Sequence, residues 1–167
     1  MWEINEETVR WIAAGAGILG TGGGGNPYYG QLQMLRLLRG GAKVRIADAG
    51  EIPDDAVCVS VGGMGAPTIG IEKIRRGDES LVALRALEAH TGREAEYLIS
   101  GEIGGSNALA PMIVAAHTGL PVIDGDGMGR AFPGLQPGVV VNDRLDLDDG
   151  DVITPRAVPA RRPAGHW

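Results

Sequence analysis

The chain is poor in the residues that staple or crowd a fold: one cysteine, one phenylalanine and 4% aromatics among 167 positions. A lone thiol closes no internal disulfide, which excludes a disulfide-framed extracellular scaffold and leaves a hydrophobic core as the source of stability. There is no long basic run, and the formal charge is −6. The electrostatic footprint of a nucleic-acid or anionic-membrane binder is therefore missing. No apolar stretch is long enough to span a bilayer. The first residues, Met1-Trp2-Glu3-Ile4-Asn5, lack the basic and apolar regions of a secretory signal, so a cytoplasmic location is the expectation. No GK[ST] triplet follows any glycine cluster, so a phosphate-cradling P-loop is excluded as well.

What the chain has in excess is glycine, 28 residues, set between apolar segments without a fixed period. That distribution marks loops of one globular domain, which the length also favours. Asn5 is placed to cap a helix running to Leu19, with Ile4 and Val9 at staple positions and Val9, Ile12, Ala13 and Ala16 on one face. A second helix is expected over Tyr28 to Leu38, with Leu32, Leu35 and Leu38 inward and Gly40-Gly41 ending it. Strands are expected at Lys43 to Ala47, Ala56 to Val61, Glu96 to Ser100 and Leu120 to Ile123. Helices from about Asp78 to Thr91 and from about Asn107 to Thr118 alternate with them, the second delayed by Pro111. This order predicts a layered α/β domain with a mostly parallel sheet flanked by helices. The domain is expected to cover residues 1–153, VVVNDRLDLDDGDVI supplying one or two short strands, and residues 154–167 form a Pro/Arg-rich tail with the composition of disorder.

Ligands of open parallel sheets bind at the carboxyl ends of the strands, where loops vary and helix N-termini converge. Three segments there join glycines to polar residues: Val61 to Pro67, Gly101 to Asn107 and Asp124 to Arg130. Glycine amides approach a ligand closely, while Glu102, Asp124 and Asp126 supply charge. Converging, these carboxylates would hold a divalent metal, bind an amide-bearing substrate or act as a general base. The alternative is helix capping and turn formation. His90 and His117 have no ligand-like spacing, so any metal is unassigned. Cys58 reads as a small core residue, and the run Lys73 to Arg76 as solvated surface. The glycines from Gly15 to Gly25 match G-x-G-x-x-G twice, yet a helix precedes them where a dinucleotide site needs a strand. A loop lining a substrate pocket is the better reading.

Four segments in order, AAGAGILGTGGGGNPY at Ala13 to Tyr28, VGGMGAPTIGIEK at Val61 to Lys73, ISGEIGGSNALAPM at Ile99 to Met112 and PVIDGDGMGRAFPGLQ at Pro121 to Gln136, carry a family resemblance. The chain resembles the N-terminal domain of the S-methyl thiohydantoin desulfurase family, which is linked with hydantoin utilisation; the match is strongest over residues 13–136. The resemblance implies a hydrolase-like enzyme that acts on a cyclic imide or thiohydantoin and cleaves a C–S bond. It carries over Gly22, Gly23, Gly24, Gly25, Asn26, Glu102, Asn107, Asp124, Asp126 and Arg130 without assigning their roles; on their chemistry Glu102 and Asp126 are the catalytic candidates and the others substrate-binding ones. It also implies a second domain beyond Gln136, where this sequence departs from the family pattern. The partners expected are thus a small-molecule substrate and either further copies of the chain or a separate C-terminal-domain partner. A non-catalytic binding subunit is the alternative.

Overall fold

The structure is a computed structural model, and it describes residues 1–63, 72 and 76–131 and the backbone of residues 152–153. Among them run β1 (Trp2–Glu3), α1 (Glu6–Gly20), α2 (Pro27–Arg39), β2 (Arg45–Asp48), β3 (Cys58–Val61), α3 (Glu79–Thr91), β4 (Tyr97–Ser100), α4 (Ala110–Thr118), β5 (Val122–Asp126) and β6 (Val152–Ile153). Short 3-10 turns cover Ala49–Glu51 and Gly105–Ala108. The six strands form one sheet in the order β1-β2-β5-β4-β3-β6. The inner four are parallel, and the edge strands β1 and β6 are antiparallel to their neighbours. The α/β layered class is thus as the sequence predicts.

Local chemistry explains the elements. The Asn5 side chain accepts from the amides of Glu7 and Thr8, both at 2.9 Å, and the Thr8 hydroxyl accepts from the Asn5 amide, closing a capping box at the head of α1. Ile4 and Val9 are buried beside it, as a hydrophobic staple requires. Gly92 and Gly119 end α3 and α4 in the left-handed conformation. Pro111 sits in the first turn of α4, where its missing N–H leaves no bond unmade, and the 3-10 turn before it replaces the earlier helical start.

All four helices bury their apolar stripes on one face of the sheet, against Ile46, Val59, Val61, Leu98 and Val122. The opposite face holds a smaller cluster of Ala56, Cys58 and Ile123, with Ile52, Tyr97 and Ile99 partly buried around it. In α2 the inward stripe differs from expectation: Met34 and Leu35 are buried, whereas Leu32 is 46% exposed. The cause is Gly30, whose lack of a side chain lets the Leu109 side chain come against the helix and turns the Gly30-Met34 edge inward. Two strands are shifted. β2 begins two residues later than expected, and β5 runs on through Asp126, because Asp124 pairs with Asp48 and Asp126 with Ser100 across an irregularity in the ladder. Asp124 and Asp126 therefore stand on strand β5, not in the loop after it. β1 was not expected. It is a short edge strand, joined by the Ile4 amide bonding to the Val44 carbonyl at 2.9 Å.

Cys58 is a core residue on the smaller face, and burial, with the Glu96 carboxylate adding to it, pushes its thiol up to about 12. Raising a thiol from 9.0 to about 12 on folding stabilises the protein below pH 9, where both states carry the proton. That contribution is lost as pH rises from 9 toward 12, as the unfolded thiol ionises first. The folded protein at pH 8 is expected to leave Cys58 unmodified by a chromogenic disulfide reagent, reacting only in denaturant. Rapid modification under native conditions would contradict the burial. Of the sequence expectations, residues 64–71 and 73–75, the segment 132–151 and the tail 154–167 lie outside the described residues.

Candidate functional site

The carboxyl ends of β2, β3, β4 and β5 lie along one edge of the sheet, which brings Asp48, Gly62-Gly63, Glu102 and Asp126 to the same end of the molecule. The segment after β4 organises that end. Asn107, 6% exposed, projects from the 3-10 turn and pairs with the backbone of Gly63 in both directions. Its Oδ1 accepts from the Gly63 amide at 2.8 Å, and its Nδ2 donates to the Gly63 carbonyl at 3.0 Å. The second Nδ2 hydrogen goes to Glu102 Oε1 at 2.5 Å. One buried amide thus fixes the loop after β3 and aims the Glu102 carboxylate. Ser100, also buried, sets its hydroxyl 2.6 Å from the Glu102 carbonyl and 3.1 Å from that of Asn107, holding the turn between them.

Asp126 has a different environment. Its Oδ2 accepts from the backbone amides of Ile103 at 2.9 Å, Met128 at 3.3 Å and Gly129 at 2.7 Å. It ties the loop after β4 to the bend after β5. Replacing Asp126 by alanine leaves those three donors without their acceptor and is expected to cost about 2 kcal/mol, read from the midpoint of urea unfolding. Asp124 is exposed at the rim beside Asp48, and Arg130 is exposed at the end of the same bend.

The glycine segment Gly22 to Gly25 packs against the loop after β4. The Gly24 carbonyl accepts from the Ser106 amide at 2.7 Å, the Ser106 hydroxyl at 2.9 Å and the Asn107 amide at 3.3 Å. A Cβ on Gly24, Gly104 or Gly105 would strike backbone: Gly104 in the first case, Ala131 in the second, Gly24 and Gly25 in the third. The two loops touch main chain to main chain, which only glycine permits. Asn26 caps α2 by accepting from the Tyr28 amide at 2.9 Å.

The structure thus brings Glu102, Asn107 and Asp126 together with Gly24, and leaves Gly22, Gly23, Gly25, Asn26, Asp124 and Arg130 at the exposed margin. The convergence of Glu102, Asp124 and Asp126 on one ion is not found: among the described residues no group of three or more histidine, cysteine, aspartate or glutamate side chains is placed to hold a metal. Glu102 turns toward Asn107 and Asp126 toward backbone amides, while Asp124 faces outward. Sequence reasoning missed Ser100, Gly104, Gly105 and Ser106 as the parts that shape the site. The signal was present in the run SGEIGGSN, whose closely spaced small residues imply tight main-chain contact. No helix among the described residues is long and apolar enough to cross a membrane.

Fold and site together define a layered α/β domain with a polar, glycine-walled site at the carboxyl edge of its sheet. The sequence model of the family described as S-Me-THD-like, N-terminal domain, matches residues 7–159, and the chain belongs to that family. A similar fold is found in the X-ray crystal structure of a protein from Chromobacterium violaceum, 32% identical, with a TM-score of 0.60. The match covers 81% of this chain but only 37% of that one, so this chain spans little more than a third of its length. No curated protein matches the chain.

Proposed function

We propose that this domain forms the hydrolytic site of an enzyme acting on a small cyclic imide or S-methyl thiohydantoin. The observation that carries the reading is the Asn107 clamp, which spends a buried amide on aiming one carboxylate, Glu102, between the loops that follow β3 and β4. A purely structural turn needs no such pairing with a carboxylate. Family membership supports this choice of substrate class.

In the proposed reaction Glu102 takes a proton from a water molecule as its oxygen attacks the ring carbon that bears the methylthio group. Backbone amides of the glycine loops, with Arg130, stabilise the charge that develops on the ring. A C–O bond forms and the C–S bond breaks; Glu102 returns its proton to the departing methanethiolate, giving methanethiol, and the second water proton passes to the ring nitrogen. The ring carbon ends as a carbonyl, with no change of oxidation state and no co-reactant besides water. Asp126 acts as a positioning residue, holding Ile103 and Gly129 so that Glu102 stays in place. Asp126→Asn keeps an acceptor oxygen and is expected to retain most activity; its loss without loss of stability would instead favour Asp126 as the base.

A second reading is a binding or partner subunit. Methanethiol release from S-methyl thiohydantoin, followed with a thiol reagent, separates the two. Turnover by the purified chain supports the enzyme. A folded chain that is silent alone and turns over only with the rest of the relative's chain added supports the second reading.

A further inference from the structure

Ile12 of α1 and Pro111 and Met112 of α4 face β1, β2 and β5 across a cleft of about 90 Å³. Its walls are apolar, with Trp2, Ile12, Ile46, Met112 and Val122 among them, and Ile103 joins it to the loop that carries Glu102. Asp124 stands at its mouth, exposed and with no hydrogen-bond or ion-pair partner among the described residues. In the neighbouring strand Asp48 lies in register with Asp124, so two like charges sit side by side, an arrangement that costs stability in a sheet.

We propose that this cleft takes a small, uncharged aliphatic substituent of the ring substrate, with Asp124 accepting a hydrogen bond from a ring N–H. The inference rests on the reading of the neighbouring site as one for hydantoin-like rings. Size sets the first limit: at about 90 Å³, against the ~150 Å³ that holds a benzene ring, this cleft suits an alkyl group of about three or four carbons better than an aromatic one. Charge sets the second. Asp124 at the mouth, with Asp48 beside it on the next strand, repels an anionic substituent, and the apolar walls leave a buried charge uncompensated. The substrate class is therefore a five-membered ring substituted like a short branched aliphatic amino acid. Such a ring also presents the N–H donor that Asp124 lacks.

Binding of three probes to the unmodified chain tests this by calorimetry: hydantoin, 5-isobutylhydantoin and hydantoin-5-acetate. Partial burial of the four added carbons predicts that the isobutyl compound binds at least about tenfold tighter than hydantoin, and the acetate weaker than hydantoin. Ile12→Phe, which fills the cleft from a half-buried position, is expected to bring the isobutyl compound down to the affinity of hydantoin while leaving hydantoin unchanged. Asp124→Asn keeps an acceptor but removes the charge, and is expected to tighten binding of the acetate, which stays weaker than hydantoin because the apolar walls still oppose its charge. Equal affinity for the three probes overturns the inference and leaves the ring-binding reading intact. Failure of all three to bind, together with no turnover of S-methyl thiohydantoin, overturns both.

Discussion

Glu102→Gln is expected to lower turnover of S-methyl thiohydantoin by about 10²- to 10⁴-fold while the protein stays folded, because a glutamine amide cannot take the proton that attack by water releases. The substitution keeps the size of the side chain and retains an oxygen able to accept from Asn107 Nδ2, so the clamp to Gly63 survives. The loss should fall on kcat, with KM little changed, since the carboxylate acts on the water rather than on ring binding. Asn107→Ala should give a milder version with a different signature. It frees the Glu102 carboxylate to move, so activity falls, and it also leaves the Gly63 amide and carbonyl unpaired, so stability falls too. A near-native rate for Glu102→Gln would remove it as the base.

The largest effect on stability is expected at Gly105. Its backbone is left-handed, with φ at 64°, and a Cβ there would meet the main chain of Gly24 and Gly25. Gly105→Ala therefore combines left-handed strain with overpacking against a backbone that has no side-chain freedom to yield, together about 3 kcal/mol. For a chain of this size the melting temperature is expected to fall by roughly 6–12 °C. Gly22→Ala is the control, because Gly22 is also left-handed, at 91°, but faces open space. It carries only the conformational penalty, about 1 kcal/mol. Equal losses at the two positions would mean that the loops do not meet as described. Because Gly24 bonds to Ser106 and Asn107, Gly105→Ala should also weaken the site, and activity should fall with stability.

Much of this architecture was legible in the sequence because its local signals agree with its tertiary packing. Asn5, Gly92, Gly119 and Pro111 each mark a helix end by a mechanism that needs no distant partner. The misreadings fall where distant contacts decide. Leu32 was expected inward on spacing alone, and it is the approach of Leu109 at Gly30, from an element far along the chain, that turns α2. Asp124 and Asp126 were expected in a loop because acidic residues and glycine disfavour strands. Their pairing with Asp48 and Ser100 carries β5 through them regardless.

The candidate site was legible as a set of segments but not as an arrangement. Glycines and carboxylates at strand ends pointed to the carboxyl edge of the sheet, and Glu102 and Asn107 were among the candidates. That Asn107 faces Gly63 and Glu102 rather than solvent depends on where the loop after β3 lies, which no periodicity encodes. The glycine run was expected to line a pocket. Its observed contacts are with Gly104, Gly105 and Ser106, since residues without side chains allow two backbones to pack directly.

The most direct test of hydrolysis at this site is turnover of S-methyl thiohydantoin in ¹⁸O-labelled water, with the product analysed by mass spectrometry for the unmodified chain and for Glu102→Gln. The account predicts one heavy oxygen in the new ring carbonyl, an equivalent of methanethiol, and loss of both in the variant. A folded chain that leaves the substrate unchanged, or one that yields unlabelled product at the same rate with and without the Glu102 carboxylate, would contradict it.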